Sequence, residues 1–289
     1  MPGSRASPTD TVASAAPSGG AATPPTRMNI HVWWDAPADG PFNMAADELL
    51  AAEAVARGAC CVRFYGWTPT SLSLGGFQRS AAARAETAFA GVPIVRRPSG
   101  GGAIVHGSDL TYAAAVPRPH LWGGRPQAFY DAFHEALRQA LTATGLAAAL
   151  WGPAAAAPPG VQGEEAFLCF DRRSSGDVVV PDARSPHGRG HKVMGSAQRR
   201  LQAAVLQHGS LLLHRNPDVP ATVSHPGLDD LAPGGFPASE ARSLAERWLA
   251  MVAAGADVEI VWESCRFAEE RDIRVRARAF SEPRWTDRR

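Results

Sequence analysis

The order of the short β-rich segments is the feature of this sequence that most constrains its fold. Runs of branched, aromatic and small residues, bounded by Gly, Pro and Ser turns, predict strands that come in adjacent groups instead of one after each helix. The predicted strands cover residues 29–34, 61–65, 71–74, 94–96, 103–105, 110–116, 176–180, 192–198 and 203–213. This grouping favours an α+β fold, with helices packed on mixed or antiparallel β-sheets, over a regular parallel βαβ array.

Three longer segments carry the apolar spacing of helices. The first covers residues 43–56 and ends before Gly58, and the second covers residues 126–144 with apolar side chains at every fourth position from 129 to 141. The third covers residues 239–253. Beyond it, no further core-sized segment is predicted before the chain ends near Trp285.

The N-terminal residues differ in composition from the rest of the chain. Residues 1–27 are almost entirely Ala, Pro, Ser, Thr and Gly, and they hold no apolar run that could serve as a signal-peptide core or a membrane span. We expect a disordered tail, followed by one domain that covers residues 28–289 and includes a C-terminal helical tail. Met28 directly precedes the first predicted strand, so translation could also begin there.

Charge and cysteine content narrow the classes of function. The formal net charge is +1 at pH 7, so no global basic field would draw the chain to nucleic acid or to an acidic membrane. Four irregularly spaced cysteines suit neither a disulfide scaffold nor a metal pair, which indicates a reducing compartment and a cytoplasmic protein. Cys60, Cys61 and Cys265 are expected to be small buried side chains. The nine histidines show no metal-ligand spacing, so no metal is expected.

The single lysine stands out because arginine is the cation everywhere else in the chain. Of 29 basic side chains, only Lys192 is a lysine. Lysine is a compact ammonium that can enter a narrow site and lose its proton, whereas arginine stays charged and carries a planar fork. Lys192 is therefore a candidate functional residue. The alternative is that it is a surface lysine without a function.

A run of three glycines is the second candidate site. Gly100, Gly101 and Gly102 remove every Cβ from a predicted turn, so the backbone can approach a ligand and aim N–H groups at a carbonyl or carboxyl oxygen. Arg97 could anchor an anionic group nearby. A plain glycine-rich hairpin turn is the alternative, and the spacing fits neither a Walker loop nor a dinucleotide fingerprint.

Cys169 and Lys192 flank one predicted hairpin, so their side chains can meet. Cys169 precedes the predicted strand that ends at Val180, and Lys192 begins the next one, in which Gly195 and Ser196 permit close approach of a ligand. His106 and His208 are general-base candidates by residue type, and each is at least as readily explained as a structural hydrogen-bonding residue.

Together these motifs resemble the biotin/lipoate protein ligase and octanoyltransferase superfamily. The matching segments are Arg-Arg-x-x-Gly-Gly-Gly-Ala-x-x-His at 96–106, Asp-Leu-Thr-Tyr at 109–112, Lys-Val-x-Gly-Ser-Ala-Gln at 192–198 and Gln-His-Gly-Ser-Leu-Leu at 207–212. Weaker matches at 43–48, 71–78 and 285–289 extend the resemblance from residue 29 to the end. The resemblance implies a biotin/lipoate ligase-like catalytic domain. Its implied substrate-binding residues are Arg97, Ser99, Gly100, Gly101, Gly102, His106, Gly195 and Ser196.

Within that superfamily, the dipeptide Cys169-Phe170 resembles the cysteine octanoyltransferases of the Bacillus type. The resemblance implies transfer of octanoate from octanoyl-acyl carrier protein to a lysine of a lipoyl-domain protein, such as glycine cleavage H protein or a 2-oxoacid dehydrogenase E2. Cys169 would form the thioester intermediate without any cofactor. Lys192 would favour the thiolate, or donate to the developing oxyanion, or both.

Three other activities fit parts of the same pattern. An ATP-dependent lipoate-protein ligase shares the glycine and lysine motifs, but it does not need the cysteine and usually depends on a further C-terminal domain, which we do not expect in this chain. Gly188-Arg189-Gly190 also continues to His191 instead of completing the biotin-ligase phosphate loop. A lipoyl or octanoyl amidotransferase would use the same thioester. A non-catalytic acyl-binding sensor needs neither nucleophile nor activator.

Removal of residues 1–27 tests the predicted domain boundary. A protein that starts at Met28 should keep its melting temperature and turnover, because the removed residues cannot bury enough apolar surface to fold. Thermal melting and turnover measured beside the full chain decide this. A clear loss of either would show that the tail docks on the domain.

Overall fold

The computed structural model describes residues 29–152, 166–182, 185, 190–267 and 273–288. The predicted N-terminal tail lies outside these residues. Eight of the strands form one large sheet, in the order β11-β1-β2-β6-β10-β9-β8-β7. These strands are β1 (Asn29–Trp34), β2 (Cys60–Tyr65), β6 (Asp109–Pro117), β7 (Ala149–Leu150), β8 (Val178–Val180), β9 (His191–Arg200), β10 (Ala204–Leu212) and β11 (Glu259–Trp262). A small sheet contains β3 (Ser71–Leu74), β4 (Ile94–Arg96) and β5 (Ile104–His106) in the order β4-β3-β5.

Both sheets are mixed, as the sequence predicts. Strand β1 pairs in parallel with β2 and β11, whereas the pairs from β2 through β6, β10, β9 and β8 to β7 are antiparallel. In the small sheet, β3 is parallel to β4 and antiparallel to β5. The α+β class with mixed or antiparallel sheets is therefore confirmed.

Helices cover both faces of the large sheet. The described helices are α1 (Gly40–Arg57), α2 (Ser80–Ala85), α3 (Pro126–Ala143), α4 (Leu228–Leu231), α5 (Ala241–Ala256), α6 (Ile273–Ser281) and α7 (Pro283–Thr286). Side chains of β2 alternate between the two faces. Val62 and Phe64 join the core under α3 and α5, and Cys61 and Tyr65 join the core under α1 and α6. Within the described ranges, no helix has the length and hydropathy needed to cross a membrane.

The three predicted helices are confirmed as α1, α3 and α5, and their ends have identifiable causes. The Asp39 side chain accepts a hydrogen bond from the Phe42 amide at the start of α1, and Gly58 ends the helix in the left-handed conformation. In α3, the buried Phe129, Phe133 and Leu137 follow the predicted spacing of four.

The prediction that no core segment follows α5 is wrong. Ile273, Ala277 and Phe280 of α6 are buried and pack with α1, although intervening arginines make this segment look polar in the sequence. Strand β11 has only four residues, of which Glu259 is exposed and the other three are partly buried, because it pairs with β1 at the edge of the large sheet. Such a short edge strand carries little apolar signal.

A buried arginine fixes α1 on the large sheet. The Arg63 guanidinium pairs with the Asp35 carboxylate at 2.8 Å and with the Asp47 carboxylate at 2.9 Å, and it also donates to the Asn43 side chain. Nearby carboxylates make such a buried cation tolerable. Because Asp47 lies on α1, this cluster determines where the helix presents its side chains to the site described below.

Two backbone hydrogen bonds join the segment that carries Cys169 to the end of the loop formed by Gly100, Gly101 and Gly102, called the glycine loop below. The Ala103 amide donates to the Phe167 carbonyl at 2.9 Å, and the Cys169 amide donates to the Ala103 carbonyl at 2.8 Å. Gly102 permits this contact, since a Cβ at that position would lie 2.7 Å from the Cys169 nitrogen. Cys169 then begins a short 3-10 turn, Cys169–Asp171.

Gly102→Ala should destabilise the fold, because the added methyl group would collide with backbone atoms of Cys169. We expect a loss of about 1–3 kcal/mol in the free energy of unfolding, measured by urea titration. Gly124→Ala is the matched control, since a Cβ there meets nothing within 4 Å, and its effect should stay within about 0.5 kcal/mol. Equal effects of the two substitutions would contradict this close backbone contact.

Candidate active site

One cavity, with a volume of about 870 Å³, collects the sequence-predicted site residues. Strands β9 and β10, the glycine loop, the Cys169 turn and the segment that follows β10 supply its walls. Nine of the ten predicted residues line it. They are Arg97, Gly100, Gly101, Gly102, His106, Cys169, Lys192, Gly195 and Ser196. The tenth, Ser99, is buried behind the wall.

Cys169 and Lys192 lie side by side in this cavity. The predicted hairpin is confirmed, because β8 and β9 pair in antiparallel fashion. The Lys192 Nζ atom lies 3.7 Å from the Cys169 Sγ atom and donates to the Cys169 carbonyl oxygen at 3.3 Å. It also lies 5.6 Å from the centre of the Phe170 ring. A Cβ on Gly195 would come within 2.7 Å of the Nζ atom, so the glycine makes room for the lysine side chain.

Asp177 is the main site residue that the sequence analysis missed. Its carboxylate lies 2.9 Å from the Lys192 Nζ atom, and both side chains are almost fully buried. The Ser174 amide donates to the same carboxylate at 2.7 Å, and the Tyr130 hydroxyl approaches it at 3.4 Å. An aspartate inside the predicted strand 176–180 is unusual, and that was the available signal.

Arg97 braces the glycine loop. Its guanidinium donates to the Ser73 carbonyl and hydroxyl oxygens and to the carbonyl oxygens of Gly100 and Gly102. Burial lowers the pKa of Arg97 from its ordinary value. The cavity wall therefore contains a buried positive charge.

The amides of the glycine loop are available as hydrogen-bond donors. In the part of the chain that the structure describes, no residue accepts a hydrogen bond from the N–H groups of Gly100, Gly101 or Gly102. All three glycines line the cavity. Free N–H groups in a cavity wall can stabilise a negatively charged oxygen.

His106 is held by protein groups at both ring nitrogens. Its Nδ1 atom lies 2.8 Å from the Asp109 carboxylate, and its Nε2 atom lies 2.7 Å from the Ser73 hydroxyl. That hydroxyl also accepts a hydrogen bond from the Arg97 guanidinium. Burial lowers the pKa of His106 from its ordinary value. The His106 ring stacks on Trp67 and forms part of the cavity wall.

His208 and Ser99 belong to a second buried network of hydrogen bonds. The His208 Nε2 atom is hydrogen-bonded to the Ser99 hydroxyl, and its Nδ1 atom lies 3.1 Å from the Asp47 carboxylate. The order of atoms is that of a Ser-His-Asp triad. However, Ser99 is 3% exposed and does not line the cavity, whereas Cys169 does.

Ser196 belongs to a hydrogen-bond chain with a fixed direction. The His134 Nδ1 atom donates to the Gly176 carbonyl, so its Nε2 atom accepts from the Ser196 hydroxyl at 2.8 Å. Burial lowers the pKa of His134 to about 3, which keeps this ring neutral. Tyr112 then donates to Ser196, and Gln207 donates to Tyr112. Ser196 therefore presents a fixed oxygen to the cavity.

Two arginines beside Cys169 also line the cavity, and the sequence analysis missed them. Arg173 donates to the Phe170 carbonyl at 2.7 Å, and burial lowers its pKa. Arg172 donates to the Ala166 carbonyl at 2.6 Å. In a chain that uses arginine throughout, nothing in the sequence distinguishes these two. An apolar part of the wall completes the cavity and consists of Met44, Tyr65, Trp67, Ile104, Phe170 and Pro226.

Comparison with known proteins identifies the family of this chain. A family model described as the lipoyl protein ligase A/B catalytic domain matches residues 39–239. Octanoyltransferase LipM of Anoxybacillus flavithermus is 35% identical over 191 residues, which cover 62% of this chain and 63% of that protein. Octanoyltransferase LipM of Bacillus subtilis is 34% identical over 187 residues, with coverages of 61% and 63%. The chain thus spans less than two thirds of the length of these relatives.

The fold is also shared with a solved structure. The crystal structure of lipoate-protein ligase A bound with ATP matches with a TM-score of 0.65, covering 90% of this chain and 99% of the other. At 18% identity, this likeness concerns the fold alone. Because the family model covers more than half of the chain, the chain belongs to the lipoyl protein ligase A/B catalytic domain family.

Proposed function

We propose that this protein transfers an octanoyl group from octanoyl-acyl carrier protein to a lysine of a lipoyl-domain protein, through a thioester on Cys169. The observation that carries the proposal is the distance of 3.7 Å between the Cys169 Sγ atom and the Lys192 Nζ atom in a cavity with an apolar wall. The relatives named octanoyltransferase support the choice of acyl group. Glycine cleavage H protein and a 2-oxoacid dehydrogenase E2 are the proposed acceptors.

In the first step, the Cys169 thiolate attacks the carbonyl carbon of the donor thioester. The new bond between that carbon and Sγ replaces the bond to the carrier sulfur, which leaves as a thiolate. Lys192 supplies positive charge beside Sγ, which favours the thiolate nucleophile. The free amides of the glycine loop are suited to bind the oxyanion that develops on the carbonyl oxygen.

In the second step, a neutral lysine amine of the acceptor attacks the acyl-enzyme. The carbon–nitrogen bond forms as the bond to Sγ breaks, Cys169 leaves as a thiolate, and the nitrogen loses its extra proton to solvent. The step from thioester to amide needs no nucleotide to drive it. The Cys169 thiol must stay reduced for this chemistry. The cytoplasm, where thiols are kept reduced, is therefore the proposed location of the protein.

Incubation with octanoyl-acyl carrier protein in the absence of ATP tests the proposal. The intact mass should rise by one octanoyl group, which hydroxylamine removes, and peptide mapping should locate it on Cys169. Cys169→Ala should abolish both the adduct and the transfer, while Cys265→Ala, at another partly exposed cysteine, should leave both intact. Full transfer by Cys169→Ala would rule out the thioester, and strict dependence on ATP with free lipoate would favour a ligase.

Lys192→Arg should lower turnover by about 10²- to 10³-fold, as the loss of one oxyanion donor does. The lysine lies against Gly195 and between Asp177 and Cys169, which leaves no room for a planar guanidinium. Turnover at saturating donor measures the effect. Arg200→Lys is the control, because Arg200 is exposed at the end of the same strand. Near-normal turnover of Lys192→Arg would remove the proposed role of Lys192.

A further inference from the structure

The proposed reaction changes the charge beside Lys192 during each cycle. Before acylation, Cys169 reacts as a thiolate, and after acylation the same sulfur carries no charge. Lys192 is only 4% exposed, so a cation there without a partner would be strongly disfavoured. If Cys169 were its only counter-charge, the ammonium would tend to lose its proton in the acyl-enzyme.

A neutral amine at that position would endanger the intermediate. The Nζ atom lies 3.7 Å from Sγ, and a thioester carbonyl carbon would be bonded directly to that sulfur. Reacting atoms about 3–3.5 Å apart are close enough for attack. The lysine that assists the reaction could therefore become its own acceptor.

Among the described residues, Lys192 has one carboxylate partner that takes no part in the proposed reaction. Asp177 lies 2.9 Å from the Nζ atom and is 1% exposed. Helix α3 presents Tyr130, which approaches the same carboxylate, and His134, a neutral ring. Cys169 lies beside the ammonium, and the Arg173 guanidinium interacts electrostatically with both Asp177 and Cys169.

We propose that Asp177 is a positioning residue that holds Lys192 as an ammonium throughout the cycle, and thereby prevents the acyl group on Cys169 from moving to Lys192. The inference rests on the proposed function. The reaction that it prevents is an acyl shift from sulfur to nitrogen. The neutral Nζ atom attacks the thioester carbon, the bond to Sγ breaks, an amide forms on Lys192, and the proton released from nitrogen returns to the Cys169 thiolate. The product would be a permanently inactivated enzyme.

Asp177→Asn in the full chain tests this directly. Both proteins are loaded with octanoyl-acyl carrier protein without acceptor, treated with hydroxylamine, and mapped by peptide mass spectrometry. The wild type should retain no octanoyl group, whereas the variant should accumulate a hydroxylamine-resistant amide on Lys192. An opposite charge at this distance changes the ratio of charged to neutral amine by about 10- to 1,000-fold, so amide formation should accelerate within that range. Turnover of the variant should decay as the amide accumulates.

Three further variants make the result specific. Asp177→Glu keeps the carboxylate and should suppress the amide. Asp171→Asn removes an equal charge two residues from Cys169, where the carboxylate pairs with His225 instead of Lys192, and should form no more amide than the wild type. Asp177→Asn combined with Cys169→Ala should form no amide, because the thioester is its source. Amide in that double variant, or equal amide in the Asp171 variant, would overturn the inference.

Amide formation in the wild-type acyl-enzyme, measured over a range of pH, gives a second test. It does not depend on whether a variant folds. The Lys192 amide should be absent at neutral pH and appear only in strongly alkaline solution, where lysine amines lose their proton. Amide in the wild type at neutral pH, or its absence at high pH while thioester remains, would overturn the inference. Failure of the wild type to form any Cys169 thioester would instead contradict the proposed function.

Discussion

Two backbone hydrogen bonds between Ala103 and the segment around Cys169 hold the site together. They bring the glycine loop of the small sheet against the turn that precedes β8, and they fix the cysteine at the cavity wall. The contact depends on the missing side chain of Gly102. Without it, the free amides of the loop and the sulfur of Cys169 could not share one cavity.

Most of the polar groups around the cavity are hydrogen-bonded to one another. Arg97 is bonded to the glycine loop, His106 to Ser73 and Asp109, and Ser196 to His134. Buried polar groups that are fully bonded are rigid, and an unpaired one is costly. Under the proposed function, Cys169 and, through its charge, Lys192 are the side chains that react or change state. The reaction would then be confined to one sulfur in a wall whose other polar groups are held in place.

The sequence predicts the elements that have strong local patterns. Helix α3 shows its spacing of four because one face packs on the sheet, and β3 and β4 end at the predicted residues because turns bound them. Helix α6 was missed because arginines separate its apolar residues, and strand β11 was missed because it has only four residues. The lone lysine and the glycine run identify most of the cavity wall. Asp177 could not be assigned, because its partner is set by the register of the β8–β9 hairpin and not by local sequence.

The position of β9 in the large sheet also orders events while the chain is being made. Cys169 is synthesised before Lys192, and Lys192 is placed by the pairing of β9 with β8. Until that hairpin forms, the growing chain carries the Cys169 thiol without its neighbouring ammonium. The cavity is completed later, when β10 has been translated and pairs with β9.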